Sequence, residues 1–267
     1  MDLQLNGKRA LITGSSGGIG EGIAKTLAKE GATVIVHGRS EQSANRVAQE
    51  IAATGGKAFV ALGDLSKDED AQNVVEVALA ALGGIDILVN NAGGYDQVSW
   101  MESLPSKWAD MYNHDVLSMV RLIQHLAPQM KELGWGRFIQ ISSSSGVQPY
   151  AFGPDYSAAK AAIINLSVSL TKDIAGTNIT SNTISPGPIL TSGFEPLWRN
   201  YAETKGWSDD WAEIERNVVK EILPNSTGRV GRIEEVANLV AFVSSPLASY
   251  INGANLRVDG GYVVGVN

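Results

Sequence analysis

Short apolar runs recur along this chain near 8–13, 32–37, 57–62, 85–90, 136–141, 178–184 and 254–258, and most stretches between them carry apolar residues at helical spacing. The first unit shows the change of period. Lys8 to Thr13 reads as a strand, Gly14 to Gly20 as a glycine-rich turn, and Ile23, Leu27 and Ala28 then fall on one helical face. Such alternation predicts an α/β domain with a doubly wound, seven-stranded parallel sheet and helices on both faces. Right-handed crossovers bring the loops that follow the strands to one edge, where ligands of such sheets bind. The pattern breaks only between Thr191 and Thr227, a long polar and aromatic stretch where the fold needs a mere connection. Long connections of this kind often serve as lids. No linker or repeat divides the chain, so one domain covering 1–267 is expected, with a substrate lid within about 191–227.

Composition narrows the partners. With 44% hydrophobic and 18% charged residues the chain reads as globular, with enough apolar material for a large core. A net charge of −7 without any basic block argues against nucleic acid or an anionic membrane surface and leaves small molecules as partners. The absence of cysteine excludes disulfides and thiolate metal sites, and no metal site is expected. Met1 to Gly7 shows no secretory pattern and no apolar run is long enough to span a bilayer, so the cytoplasm is the expected compartment.

The chemistry concentrates in Tyr156-Ser157-Ala158-Ala159-Lys160, whose four-residue spacing puts a phenol and an ammonium on one helix face. A free phenol releases its proton near pH ~10. Proton exchange near neutrality therefore needs about 4 kcal/mol of help, which a cation at about 4 Å supplies at an effective dielectric near 20. The turn Gly14-Ser15-Ser16-Gly17-Gly18-Ile19-Gly20 lies between a strand and a helix. Its glycines let a pyrophosphate approach the backbone, and the helix start favours an anion.

Together with Asn90-Asn91-Ala92-Gly93 after the fourth strand, Ser143 thirteen residues before Tyr156, and Pro186-Gly187 after the sixth strand, these motifs resemble the short-chain dehydrogenase/reductase family over nearly the whole chain. The resemblance implies a single Rossmann-fold domain with strand order 3-2-1-4-5-6-7. It implies hydride transfer between a nicotinamide cofactor and a carbonyl or alcohol substrate, with Tyr156 as general acid and base, Ser143 on the substrate oxygen, and Lys160 on the cofactor ribose. It places Gly14, Ser16, Gly18, Ile19 and Gly20 under the pyrophosphate, Asp64 and Leu65 at the adenine, and Asn91, Ala92 and Gly93 at the adjoining ribose. Pro186, Gly187, Ile189 and Thr191 match the segment that closes over the nicotinamide. A homotetramer is implied as well, with helices around 105–132 and 155–175 pairing across one two-fold axis and the C-terminal segment across another.

Two positions carry the finer choices. At the tip of the second strand, where relatives meet the adenosine ribose, Arg39 and Ser40 stand without an acid, which favours NADP(H) over NAD(H), although NAD(H) stays possible because Gly17 replaces a basic residue that many NADP-preferring relatives carry. The resemblance puts Asp115 where relatives have an asparagine whose main-chain carbonyl holds a water leading to the lysine, so Asp115 is expected to join the catalytic set, keeping that relay through its main chain while adding a charge near Lys160. Asn113 cannot take that place, being two residues away on a helix. His114 and His125 read as structural or exposed. Phe194, Trp198, Tyr201, Trp207 and Trp211 in the lid segment point to an apolar or bulky substrate. A 3-oxoacyl-(acyl-carrier-protein) reductase is the alternative, weakened by Gly134 and Thr177, where such enzymes carry basic residues for the acidic carrier. A non-catalytic nucleotide sensor or scaffold is a remote alternative, opposed by the intact Ser143, Tyr156 and Lys160.

Overall fold

The computed structural model describes residues 1–95 and 98–265. β1 (Arg9–Ile12) leads through the glycine turn into α1 (Gly18–Lys29), and the unit recurs as β2 (Thr33–Gly38), α2 (Glu41–Ala53), β3 (Lys57–Leu62), α3 (Asp68–Leu82) and β4 (Ile87–Asn90). The second half begins with α4 (Pro105–Tyr112), which runs through one turn of π-helix, Asn113–Leu117, into α5 (Ser118–Leu133). β5 (Gly136–Ile141), α6 (Pro154–Asp173) and β6 (Ile179–Pro186) follow.

Seven parallel strands form the sheet in the order β3-β2-β1-β4-β5-β6-β9, where β9 (Asn255–Val258) is the expected last strand. β6 outruns its expected end by two residues, because Ser185 and Pro186 still pair with Arg257 and Val258. The inner strands β1, β2, β4 and β5 are largely apolar and buried, β6 buries Thr180, Ser181, Asn182 and Thr183, and successive residues serve opposite layers. Ile12, Val34 and Val36 join α1 and α9 (Ile233–Ser244) in one core. Leu11, Ile35 and Leu88 join α3, α5 and α6 in the other.

Between β6 and α9 the alternation breaks as expected. β7 (Ile189–Leu190) and β8 (Gly231–Arg232) pair as a separate two-stranded ribbon, and α7 (Phe194–Lys205) and α8 (Trp211–Glu221) lie between them. These two helices have a small core of their own, Ala202, Ile214 and Val218 under Trp198, Trp207, Trp211 and Leu223. Successive ring pairs Phe194–Trp198, Trp198–Tyr201 and Tyr201–Trp207 stand 5.7, 5.6 and 5.8 Å apart. The aromatic residues that pointed to an apolar roof thus serve first to hold the segment together.

Candidate active site

The glycine turn is shaped from three sides. Gly14 and Gly18 adopt φ of +61° and +56°, and a side chain on Gly14 would come within 2.9 Å of Ala92 Cα. From the end of β4, Asn91 N–H and Ala92 N–H both donate to Thr13 Oγ1 at 2.9 Å, while Asn91 Nδ2 donates to Thr13 O at 2.9 Å and Gly14 O at 3.2 Å. From β2, buried His37 accepts the Gly14 N–H at Nδ1 (3.0 Å), which leaves the ring proton on Nε2 to face Gly63 O at 3.2 Å. Burial pushes the His37 pKa down to about 4, so the ring is neutral and the turn is held. Sequence reasoning missed this residue, whose signal was a histidine at the tip of an otherwise apolar strand beside the turn.

A cleft of about 160 Å³ continues from the turn, walled by Ser16, Arg39, Asp64, Leu65, Ala92, Gly93 and His114 among others. Arg39 is exposed, and among the described residues its guanidinium has no hydrogen bond or ion pair. Asp64 accepts from Ser66 Oγ (2.7 Å) and Ser66 N–H (3.1 Å), and these bonds hold its carboxyl below the usual range. Ser40 stands aside from the cleft and caps α2 by accepting from Ser43 N–H.

The neighbouring cleft, about 380 Å³, is lined by Ile19, Asn91, Gly93, Tyr95, Ser143, Tyr156, Lys160, Pro186, Gly187 and Thr191 among others. α6 places Tyr156 and Lys160 one turn apart, with Nζ 5.3 Å from the tyrosine ring centroid. Neighbouring bonds separate the serines. Ser142 Oγ donates to Lys160 O at 2.8 Å, Ser144 Oγ pairs with Tyr150 OH, and Ser145 Oγ is buried, whereas Ser143 sits on the cleft wall. Asp155, unremarked in the sequence, is buried beside the tyrosine, accepting from Tyr156 N–H (2.9 Å) and from Ser103 Oγ (3.1 Å). It anchors the start of α6. Gly18, Gly20, Ser40, Ile189 and Asp115 lie behind the two cleft walls rather than on them.

Asp115 is fully buried in the π turn and forms an ion pair with Lys160, Oδ2 to Nζ 3.0 Å. Its Oδ1 accepts from Gly94 N–H and faces His114 Nδ1, both at 2.9 Å. His114 therefore has a structural role, as expected, while Asn113 turns away to donate to Ser66 O. Burial pushes the Asp115 carboxyl up, but the Lys160 ammonium with the His114 and Gly94 hydrogen bonds outweighs it and holds the carboxyl below its usual range. Likewise burial pushes Lys160 down, and the charges of Asp115 and Tyr156 outweigh it and hold the ammonium above its usual range. π turns of this kind often mark functional sites.

The profile of the short chain dehydrogenase family matches residues 8–202. The chain belongs to that family. It is 38% identical over 264 residues to an uncharacterized oxidoreductase, YvrD, of Bacillus subtilis (98% of this chain, 99% of that protein). It is 33% identical over 266 residues to the 7alpha-hydroxysteroid dehydrogenase of Escherichia coli (100% of this chain, 98% of that protein). Among solved structures, L-sorbose reductase from Gluconobacter frateurii, complexed with NADPH and L-sorbose, superposes with a TM-score of 0.94 at 34% identity, covering 100% of both chains. Members of this family are oxidoreductases that bind nicotinamide cofactors, and the two clefts have the features such a group requires. A glycine cradle that a Cβ would fill lies at the start of α1, whose end has no side-chain cap, and a lysine stands at the second cleft. Among the described residues no cluster of three or more metal-ligating side chains exists, and no helix is long and apolar enough to cross a membrane.

Proposed function

We propose that this chain is an NADP(H)-preferring carbonyl reductase or alcohol dehydrogenase. The observation that carries the reading is the convergence of Ser143, Tyr156 and Lys160 on one cleft contiguous with the glycine turn. When bound, the dinucleotide supplies the hydride, or accepts it in the reverse direction. Tyr156 gives its phenolic proton to the substrate oxygen as the carbonyl carbon is reduced, and recovers it in oxidation. Ser143 donates a hydrogen bond to that same oxygen and steadies the charge that grows on it. Lys160 holds the cofactor ribose and stabilises the tyrosinate left after proton transfer. Gly14, Ser16, Gly18, Ile19 and Gly20 receive the pyrophosphate, Asn91, Ala92 and Gly93 the ribose, and Asp64 and Leu65 the adenine. Pro186, Gly187, Ile189 and Thr191 close over the nicotinamide.

Arg39 supports NADP(H), because an exposed guanidinium without a protein partner at the adenosine cleft suits an additional phosphate. The segment 191–227 acts as the substrate lid. Its tryptophans are packed in its own core, and the cleft wall shared with Tyr156 combines Tyr95, Ser142 and Ser143 with Ile19, Ile141 and Pro186, a mixed lining that suits a carbonyl compound bearing hydroxyl groups. The carrier-protein alternative finds no basic group at Gly134, which ends α5, or at Thr177, whose hydroxyl donates to Ile174 O. The deciding experiment is a panel of hydroxyketones, hydroxysteroid ketones, simple ketones and 3-oxoacyl thioesters, each with NADPH and NADH, followed at the nicotinamide absorbance. No turnover with any of them would sink the reading and leave the sensor or scaffold alternative.

A further inference from the structure

Asp115 stands where relatives have asparagine, and its carboxylate reaches the lysine itself. We propose that Asp115 is a positioning residue that sets the pH range of the reaction, its carboxylate cancelling part of the pull that Lys160 exerts on the Tyr156 proton. The inference rests on the reading of Tyr156 as proton donor.

The geometry leaves the carboxylate no freedom. Lys160 Nζ meets Oδ2 at 3.0 Å, while Gly94 N–H and His114 Nδ1 fix Oδ1 at 2.9 Å each. Gly93 passes so close that a Cβ there would stand 3.1 Å from Lys160 Nζ and 3.2 Å from Asp115 Oδ2. Both members of the pair are buried, so water does not screen them. Among the described residues, the other charged or titratable groups around Tyr156 and the pair include Asp155 on α6, Tyr95 after β4, whose ring is 5.0 Å away, Tyr150 before α6, and His114 against Asp115. Lys160 is the lysine beside the phenol, its Nζ 5.3 Å from the Tyr156 ring centroid, and Asp115 lies directly against it.

Coulomb's law gives the size of the effect. An anion about 3 Å behind a cation removes roughly half of what that cation does to a group about 4 Å in front of it, which corresponds to about 1–2 pH units at an effective dielectric near 20. The overall equilibrium stays with the cofactor and the substrate. What changes is the balance between the Lys160 pull and the Asp115 push on the Tyr156 proton, and with it the pH at which oxidation sets in.

The test uses Asp115→Asn, which keeps the shape and removes the charge. Tyrosinate absorbance of the protein without cofactor is titrated with pH, and the same curve for Tyr156→Phe is subtracted to isolate one tyrosine among the chain's 7. In Asp115→Asn the Tyr156 signal is expected about 1–2 pH units lower than in the wild type, and the alkaline onset of alcohol oxidation moves with it. His125→Gln, at an exposed position of α5, leaves the ion pair untouched and is expected to leave the signal in place. An unmoved signal in Asp115→Asn overturns the proposal. So does a move to higher pH, which would mean that Lys160 loses its proton without its partner, and so does an equal shift in His125→Gln. The titration needs no substrate, so it decides this point even if the panel shows no turnover and the proposed function fails.

Discussion

Replacing Arg39 with alanine is the most direct measurement of cofactor choice. The tip of β2 is held independently of this side chain: His37 bonds to Gly14 and Gly63, a Cβ on Gly38 would collide with Ser16, and Ser40 caps α2. The substitution therefore removes a guanidinium and little else. A hydrogen bond to a charged group contributes about 1.5–3 kcal/mol. Arg39 is exposed and lies in screened surroundings, so the lower half of that range applies, about 1.5–2 kcal/mol, or roughly 10–30-fold in affinity. Dissociation constants for NADPH and NADH, read from quenching of protein fluorescence, and kcat/KM for the best carbonyl with each cofactor give two independent readouts. NADPH should weaken by the stated factor and NADH by less than about threefold. Equal losses for both cofactors, or a wild type that prefers NADH, would refute the assignment of Arg39 to the phosphate.

Tyr156→Phe should lower kcat by about 10²–10⁴-fold while cofactor binding persists, and residual activity within about threefold of wild type would overturn its role as proton donor. His37 ties stability to acid. Its proton is refused in the folded state down to about pH 4, whereas the unfolded chain takes it up near pH ~6.5, so stability is complete above that point and falls with pH across the window by about 3 kcal/mol. Denaturant melts from pH 7 to 4 should show a shallower slope in His37→Gln, and identical slopes would refute the attribution. The outer faces of α5 and α6 frame a groove of about 560 Å³ with Tyr112, Ile123, Ala162, Leu166 and Leu170 on its walls, and we expect these helices to pair in a homotetramer. A monomer by light scattering at micromolar concentration would contradict that.

The sheet was readable in the chain because most of its parallel strands are short apolar runs set between helical patterns, and every one of the seven expected runs became a strand of the main sheet. The motif residues on the clefts were readable because each follows a strand on the ligand-binding edge. What stayed hidden depends on contacts distant in sequence. Nothing local in His37 announces that it accepts a bond from Gly14 across the turn, and nothing near Asp155 announces Ser103. The spacing that places Asp115 near Lys160 could not reveal that a π turn would bring the carboxylate into direct contact. The aromatic residues of 194–211 invited a reading as substrate contacts, since composition cannot distinguish a ring facing a ligand from a ring facing another ring.

The small core shared by α7 and α8 has a consequence for how this enzyme can change over time. Because Trp198, Trp207 and Trp211 pack against Ala202, Ile214 and Val218, the segment proposed as the lid has an apolar core of its own. It is fastened to the body at few points, among them the Glu215 carboxylate, which accepts from Arg232 Nη1 at 2.7 Å and from Val230 N–H at 3.1 Å. A piece with its own core can be lengthened, shortened or exchanged during descent while the sheet stays as it is, and if it is the lid we propose, new substrates would reach this architecture through one replaceable segment.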